Sequence, residues 1–296
     1  MKIVNTIAQV REIVKEWKKE GLTVGFVPTM GYLHEGHASL IERASRENDR
    51  VVVSDFVNPI QFGPKEDLAS YPRDIDRDAR VCTEAGADVI FYPTAEEMYF
   101  PDFSTFVDIT GPSDELCGKS RPTHFKGVCT VVSKLFLIVS PHRAYFGQKD
   151  AQQLAVIKRM VRDLNFDIEI IGCPIIREAD GLAKSSRNTY LSPEERKSAV
   201  ILSKALQEGK RLVLNGEKNA QVVIDRITEI INSEPLAKID YVQIASFPQI
   251  KPVEAIDCDI LTAIAVYIGT TRLIDNFIIE NGAENKKGDI LCRLQC

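Results

Sequence analysis

Apolar residues at Ile7, Val10, Val14 and Trp17 recur at the helical period, with Thr6 placed as an N-cap and Gly21 just beyond the last turn. They predict a first helix. Residues 22–27 and 50–57 are short, β-branched-rich runs closed by Pro28 and by Asn58-Pro59, and read as buried strands. Between them, residues 36–48 are amphipathic at helical spacing, which makes a strand–helix–strand unit of the length a parallel crossover needs. The pattern continues with helices over 74–85, 123–139 and 150–164 and strands over 88–92, 143–146 and 167–171. Strands alternating with helices predict a doubly wound parallel α/β sheet, Rossmann-like in class.

After Arg177-Glu178-Ala179-Asp180-Gly181 the texture changes. Two charged helices are expected over 193–214 and 218–232, followed by alternating strands over 241–245, 261–267 and 271–279. Helices followed by hairpin-like strands suggest a separate, smaller α+β domain, so the expected division is residues 1–178 and 179–296, the second closing over a site on the first. No internal repeat or low-complexity segment interrupts this order, and the polar stretch 281–287 reads as a loose tail.

The length of 296 residues agrees with two domains, and 44% hydrophobic with 27% charged residues excludes collagen-like, coiled-coil and disordered classes. A net charge of −5 supplies no basic field for nucleic acid or an acidic membrane, so a small-molecule ligand is the expected partner. No apolar run has signal-peptide or membrane-span length, and the seven cysteines form no Cys-x-x-Cys pair; both point to reduced thiols in the cytosol. Cys292 and Cys296, four apart, offer only a remote metal or redox alternative.

Two of the four histidines stand in Pro28-Thr29-Met30-Gly31-Tyr32-Leu33-His34-Glu35-Gly36-His37, where the first core strand meets the next helix. Ligands of open α/β sheets bind beyond the carboxyl ends of strands, and a helix N-terminus there offers free N–H groups to an anion. Histidines three apart lie on one face of that first turn, and Gly36 lets a phosphate approach the backbone. This predicts a nucleotide triphosphate site. The alternatives are ordinary buried or surface histidines, or a zinc pair, although His-Glu-Gly-His is not metalloprotease spacing.

A second cluster, Gly147-Gln148-Lys149-Asp150 with Gln153, again follows a strand and opens a helix. Lys149 can reach phosphate, and Asp150 can cap the helix or accept from a ribose hydroxyl; a plain turn is the competing reading. The third, Lys184-Ser185-Ser186-Arg187-Asn188, sits at the domain boundary as either a closing phosphate clamp or a solvated linker. Other nucleotide motifs fail. G-x-G-x-x-G is absent, and Gly111 to Ser120 has six residues between its glycines where a P-loop has four, with Pro122 where the helix should run.

The His-x-Gly-His turn and the Lys-Ser-Ser-Arg loop resemble the two signature motifs of the adenylyl-transferring superfamily that includes class I aminoacyl-tRNA synthetases. Within it, residues 28–37, 56–63, Tyr71-Pro72-Arg73, 124–128, 145–153, 177–191 and 271–276 resemble the bacterial pantothenate synthetase family, over nearly the whole chain. The resemblance implies ATP-dependent condensation of (R)-pantoate with β-alanine through a pantoyl adenylate, with ATP as co-substrate, Mg2+ as cofactor and a homodimer as the assembly. By position it implies His37 as catalytic acid, His34 as its partner on the triphosphate, and Lys149 and Lys184 as catalytic cations. Met30, Gly31, Tyr32, Leu33, Glu35, Gly36, Gly147, Gln148, Asp150, Ile176, Ser185, Ser186 and Arg187 complete the implied ATP site. Gln61 and Gln153 correspond to residues that hold pantoate, Gln61 also lying against β-alanine, with Thr29, Met30, His124, Val131 and Val132 around them. Asp78 resembles a metal-site carboxylate.

Asp55 departs from the family, where many relatives carry an aliphatic residue in that strand. Two other functions compete with the ligase: a nucleotidylyltransferase acting on a phosphate acceptor, against which the uncharged Gln61 and Gln153 argue, and a nucleotide-sensing module, which would not need the clamp at Lys184. A tRNA synthetase is disfavoured by the acidic charge.

Overall fold

The computed structural model describes residues 1–64 and 66–280. The expected loose tail at 281–287 and the Cys292/Cys296 pair lie outside the described residues. Six parallel strands, β1 (Lys2–Val4), β2 (Val24–Thr29), β3 (Arg50–Asp55), β4 (Val89–Phe91), β5 (Arg143–Gly147) and β6 (Glu169–Cys173), form one sheet in the order β1-β4-β3-β2-β5-β6. The expected doubly wound architecture is present.

Helices α1 (Ile7–Lys19), α2 (Glu35–Glu47), α3 (Ile75–Ala85), α4 (Ala95–Met98), α5 (Cys117–Ser120), α6 (His124–Val139) and α7 (Ala151–Asp163) connect the strands. Their ends follow local chemistry. Thr6 and Gln9 form a capping box on α1, Asp74 caps α3, and Gly86 ends α3 in the left-handed region at φ 93°. The apolar stripe of α1 and nearly all of α6 pack on one face of the sheet around Phe26, Phe91, Phe136 and Phe146, while α2 and α3 cover the other around Leu33, Ile41, Ile90 and Tyr145.

Some boundaries differ from those the sequence predicts. Strand β2 runs through Pro28 to Thr29 rather than stopping at the proline. The neighbour β5 pairs with β2 only at Gly25 and Phe26, so one edge of β2 carries no ladder beyond them, and a residue lacking N–H is tolerated there. Strand β6 lies two residues later than expected, and the three-residue edge strand β1 is too short to announce itself.

Beyond a hairpin-like turn at 176–184 come α8 (Pro193–Ser198), α9 (Val200–Leu214) and α10 (Ala220–Asn232), then the antiparallel meander β7 (Ala237–Ser246), β8 (Ile260–Ile268) and β9 (Thr271–Ile279). The single helix expected over 193–214 is interrupted at Ala199, where the Leu202 N–H donates to the Ala199 carbonyl three residues back and the turn tightens. Leu182 already belongs to the core of this second layer, with Leu202, Val223, Ile227 and Ile264. A small cluster of Leu116, Ala151, Ala155, Ile250, Leu261 and Ala263 joins the two units.

Candidate active site

Chain order along the sheet reverses between β2 and β5, the switch point where open α/β sheets take ligands. The first two motifs leave the carboxyl ends of these two strands. Thr29 ends β2 with its hydroxyl donating to the Ser54 carbonyl at 2.8 Å and accepting from the Gly31 N–H at 3.2 Å. Gly31 (φ 81°) and Tyr32 (φ 52°) then turn the chain sharply. A Cβ on Gly31 would collide with the Asp55 carboxyl, so glycine is required both by conformation and by space. The free N–H groups of Tyr32 and Leu33 donate to the two oxygens of Asp78 at 2.7 and 2.6 Å, and the Arg77 guanidinium lies 4.4 Å over the Tyr32 ring.

His34 is the N-cap of α2, and the two histidines hold that cap between them. The Gly36 N–H donates to His34 Nδ1 at 3.0 Å, the His34 N–H to His37 Nδ1 at 3.3 Å, and the rings lie tilted by 39° with centroids 4.2 Å apart. With both Nδ1 atoms accepting from backbone, the proton of each neutral ring sits on Nε2, which is left as a donor. Burial, followed by the nearby Lys149 and Lys184, lowers His34 to about 4, and burial followed by His34 lowers His37 to about 3. At neutral pH the pair is a set of uncharged N–H donors.

Lys149, Asp150, Lys184, Ser185, Ser186 and Arg187 meet His34, Gly36 and His37 in the wall of a cavity of about 240 Å3 that also takes in Gly147 and Ile176. The two signature motifs touch directly: Ser186 Oγ donates to the Tyr32 carbonyl at 3.2 Å, and Lys184 Nζ pairs with Glu35 at 2.7 Å and Glu178 at 3.3 Å. The Lys184 segment is not a solvated linker. It continues a hairpin closed by the Arg177/Ala183 bridge and the Lys184 N–H to Ile176 carbonyl bond, with Gly181 at the turn. Arg187 forms a two-pronged pair with Asp67 at 2.9 and 3.0 Å. Asp150 makes no side-chain cap on α7, which removes the helix-capping alternative for it.

Five residues expected in the ATP site stand outside the cavity lining: Gly31, Tyr32, Leu33, Glu35 and Gln148. Leu33 is fully buried in the core under α2, and Glu35 faces Lys184.

The other end of the cavity carries Thr29, Met30, Gln61, His124, Val131, Val132 and Gln153 together, all from the expected acid-binding set. Gln61 lies in a single 3-10 turn, Pro59–Gln61, and its amide donates to Met30 Sδ at 3.0 Å while accepting from Asn58 Nδ2 at 3.0 Å. Asn58 is itself held by the Tyr99 hydroxyl at 2.7 Å. His124 Nδ1 sits 3.0 Å from the Gln61 carbonyl, and burial with Arg121 nearby lowers this imidazole to about 4. Gly127 permits the approach of α6 to this turn, because a Cβ there would stand 2.5 Å from Gln61 Cα.

Asp78, expected from the resemblance as a metal-site carboxylate, is engaged by the backbone of the motif turn. It is 1% exposed, both oxygens accept backbone N–H groups, and among the described residues no cluster of three His, Cys, Asp or Glu could hold an ion. Sequence reasoning also passed over residues that the structure brings to the site. Glu66 and Asp67 pair with Arg121 and Arg187, Asn58 holds Gln61, and Asn276 reaches the Lys149 turn. Except for Asn58 and Gln61, three residues apart, these ties connect residues far apart in the chain, and only the resemblance of 56–63 and 271–276 to family segments marked any of them.

The chain matches the Pantoate-beta-alanine ligase family model over residues 2–278. It belongs to the pantoate–β-alanine ligase family. Pantothenate synthetases from Clostridium acetobutylicum and Enterococcus faecalis are 65% and 63% identical, over 94% and 95% of this chain and 99% of each relative. The pantothenate synthetase structure from Thermus thermophilus superposes with a TM-score of 0.89 at 46% identity, over 94% of this chain and 99% of that one. The Francisella tularensis pantoate–β-alanine ligase, solved in complex with beta-gamma ATP and β-alanine, gives 0.77 at 35% identity, over 94% and 97%. The pantoate–β-alanine ligase family thus accounts for both layers of the fold.

Proposed function

We infer that the protein joins (R)-pantoate to β-alanine in an ATP-dependent amide ligation through pantoyl adenylate, releasing AMP and pyrophosphate. The observation that carries the assignment of residues is the meeting of the His-x-Gly-His turn with Lys184 to Arg187 across one cavity whose far end is walled by Gln61 and Gln153. Pantoate's carboxylate attacks the α-phosphorus, and negative charge gathers on the phosphates and the leaving pyrophosphate. Donors and cations answer that charge, and no nucleophilic side chain is needed. His37 and His34 supply neutral Nε2–H donors, while Lys149, Lys184 and Arg187 supply positive charge. Glu35 and Glu178 pair with Lys184, and Asp67 pairs with Arg187, which fixes where two of these cations point.

At the acid-binding end, Gln61 and Gln153 offer amides to the hydroxy acid, with Thr29, Met30, His124, Val131 and Val132 excluding water around them. The amide step requires β-alanine's neutral amine aligned on the acyl carbon, which positioning supplies. Mg2+ is implied by the family; among the described residues no group of three His, Cys, Asp or Glu side chains could hold it alone, and phosphate oxygens and water would complete its shell.

We place the domains at 1–178 and 179–296. A homodimer follows from the resemblance, and exposed apolar side chains suit it: Phe100 and Leu137 are 69% and 64% exposed, and Phe103 packs on Phe106 with the Lys134 ammonium over Tyr99 and Phe103. The buried thiols Cys82, Cys117, Cys129 and Cys173 agree with a reducing, cytosolic setting, and no helix among the described residues is long and apolar enough to cross a membrane.

The test is exchange of labelled pyrophosphate into ATP with pantoate present and β-alanine absent. Exchange that depends on pantoate alone is the expected result, and a requirement for β-alanine would overturn the stepwise mechanism.

A further inference from the structure

The turn that presents Lys149 lacks a local anchor. Gln148–Asp150 is a single 3-10 turn between β5 and α7, and neither Gly147 at its start nor Asp150 before α7 makes a side-chain cap. A lysine on four methylenes aims only as well as its backbone is held. The side chain that meets this backbone comes from the other domain: Asn276 on β9, 4% exposed, donates its Nδ2 protons to the carbonyls of Gln148 at 3.0 Å and Lys149 at 2.8 Å.

Its neighbour holds the opposite wall. Asp275, 2% exposed, accepts two bonds from the Arg177 guanidinium at 2.7 and 3.0 Å, and Arg177 in turn donates to the Gly181 carbonyl inside the hairpin that leads to Lys184 and Arg187. The Asn276 N–H donates to Asp275 Oδ1 at 2.8 Å, which links the two anchors. Adjacent strand residues point to opposite faces, so one place on β9 reaches both cation-bearing segments.

We propose that Asn276 is a positioning residue for adenylation: its amide holds the Gln148–Lys149 backbone so that Lys149 faces the polyphosphate in register with the hairpin that Asp275 and Arg177 hold. The inference rests on the reading of Lys149 as a phosphate-facing cation. A side chain that merely docked the two domains would have the same contacts but a different energetic signature, because its loss would add to any other loss. A residue acting through Lys149 has nothing to lose once that lysine is gone.

The experiment is a double-mutant cycle on the full-length protein, using Asn276→Ala, Lys149→Ala and the pair, read as pantoate-dependent pyrophosphate exchange at saturating ATP. Asn276→Ala should lower the exchange rate by about tenfold with a smaller change in the Michaelis constant for ATP, since misplacement by a fraction of an ångström is felt mainly at the reacting geometry. In the Lys149→Ala background the same change should cost less than about twofold. Asn276→Asp, of the same size but presenting acceptors to two carbonyls, should fall as low as Asn276→Ala, and it carries the same cycle if the alanine variant does not fold. Equal losses in both backgrounds, or wild-type exchange in Asn276→Ala, would overturn the proposal. Wild-type exchange in Lys149→Ala would instead refute the reading of Lys149 on which the proposal stands.

Discussion

Histidine commonly enters an active site as a switch near neutrality, but here the backbone and burial remove that behaviour from both motif histidines. The pH profile of the adenylation half-reaction should therefore show no inflection near 6.5 that belongs to them. Stability carries the complementary sign. Below 6.5 the unfolded chain takes up protons that folded His34 and His37 refuse until about 4 and about 3, so their contribution is full above 6.5 and is lost on acidification. A His34→Gln, His37→Gln double variant should accordingly lose less Tm than its parent between pH 7 and pH 5; an equal loss would contradict the assignment. His37→Ala should lower turnover by about 10², or about 3 kcal/mol, with circular dichroism unchanged. Asp55 runs the other way. Burial and the adjoining Asp78 raise it to about 7, so the folded state keeps a proton that the unfolded state releases above 3.8, and stability falls as pH climbs through that window. Asp55→Val should raise Tm more at pH 8 than at pH 5.

Among the elements, α6 and the turn Pro59–Gln61 make the most exacting contact. Gly127→Ala would drive a methyl into backbone that cannot yield, costing about 1–3 kcal/mol by overpacking and displacing Gln61. The Michaelis constants for pantoate and β-alanine should rise while that for ATP changes little, and an effect confined to ATP would contradict the placement of Gln61. The hairpin before Lys184 makes a second test at this scale. Lys184→Ala should depress turnover more than ATP affinity, because the charge it answers develops in the transition state. Limited proteolysis should already find residues 180–190 resistant without nucleotide, since the Ser186 to Tyr32 bond and the 176–184 hairpin tie them down.

For the whole molecule, the decisive feature is a cleft of about 910 Å3 lined by β8, β9 and the starts of α6 and α7, which shares Lys149, Asp150, Gln153 and Arg187 with the smaller cavity. The C-terminal layer thus walls a cleft that adjoins the candidate site. Assembly is a separate matter of surface. The proposed homodimer predicts that Phe100→Arg with Leu137→Arg gives a monomer in sedimentation while the pantoate-dependent exchange persists; an unchanged sedimentation coefficient would contradict the proposed interface.

Periodicity and capping residues by themselves determined the parallel α/β layer, the texture change near residue 178 and the two strand-to-helix turns, because helix and strand periods are local properties of side-chain spacing. The candidate motifs were legible for the same reason: His34 and His37 sit in one short stretch, while Lys149 and Lys184 to Arg187 could equally be read as a plain turn and a solvated linker. What only the tertiary structure decided is how those stretches are held. That Asp78 accepts from the Tyr32 and Leu33 backbone depends on α3 meeting that turn from 46 and 45 residues away in the chain. That Asp67 closes on Arg187 and Asn276 on Lys149 depends on separations of 120 and 127 residues. Such contacts carry no period and no spacing, so their energies exist only once the core has brought the segments together.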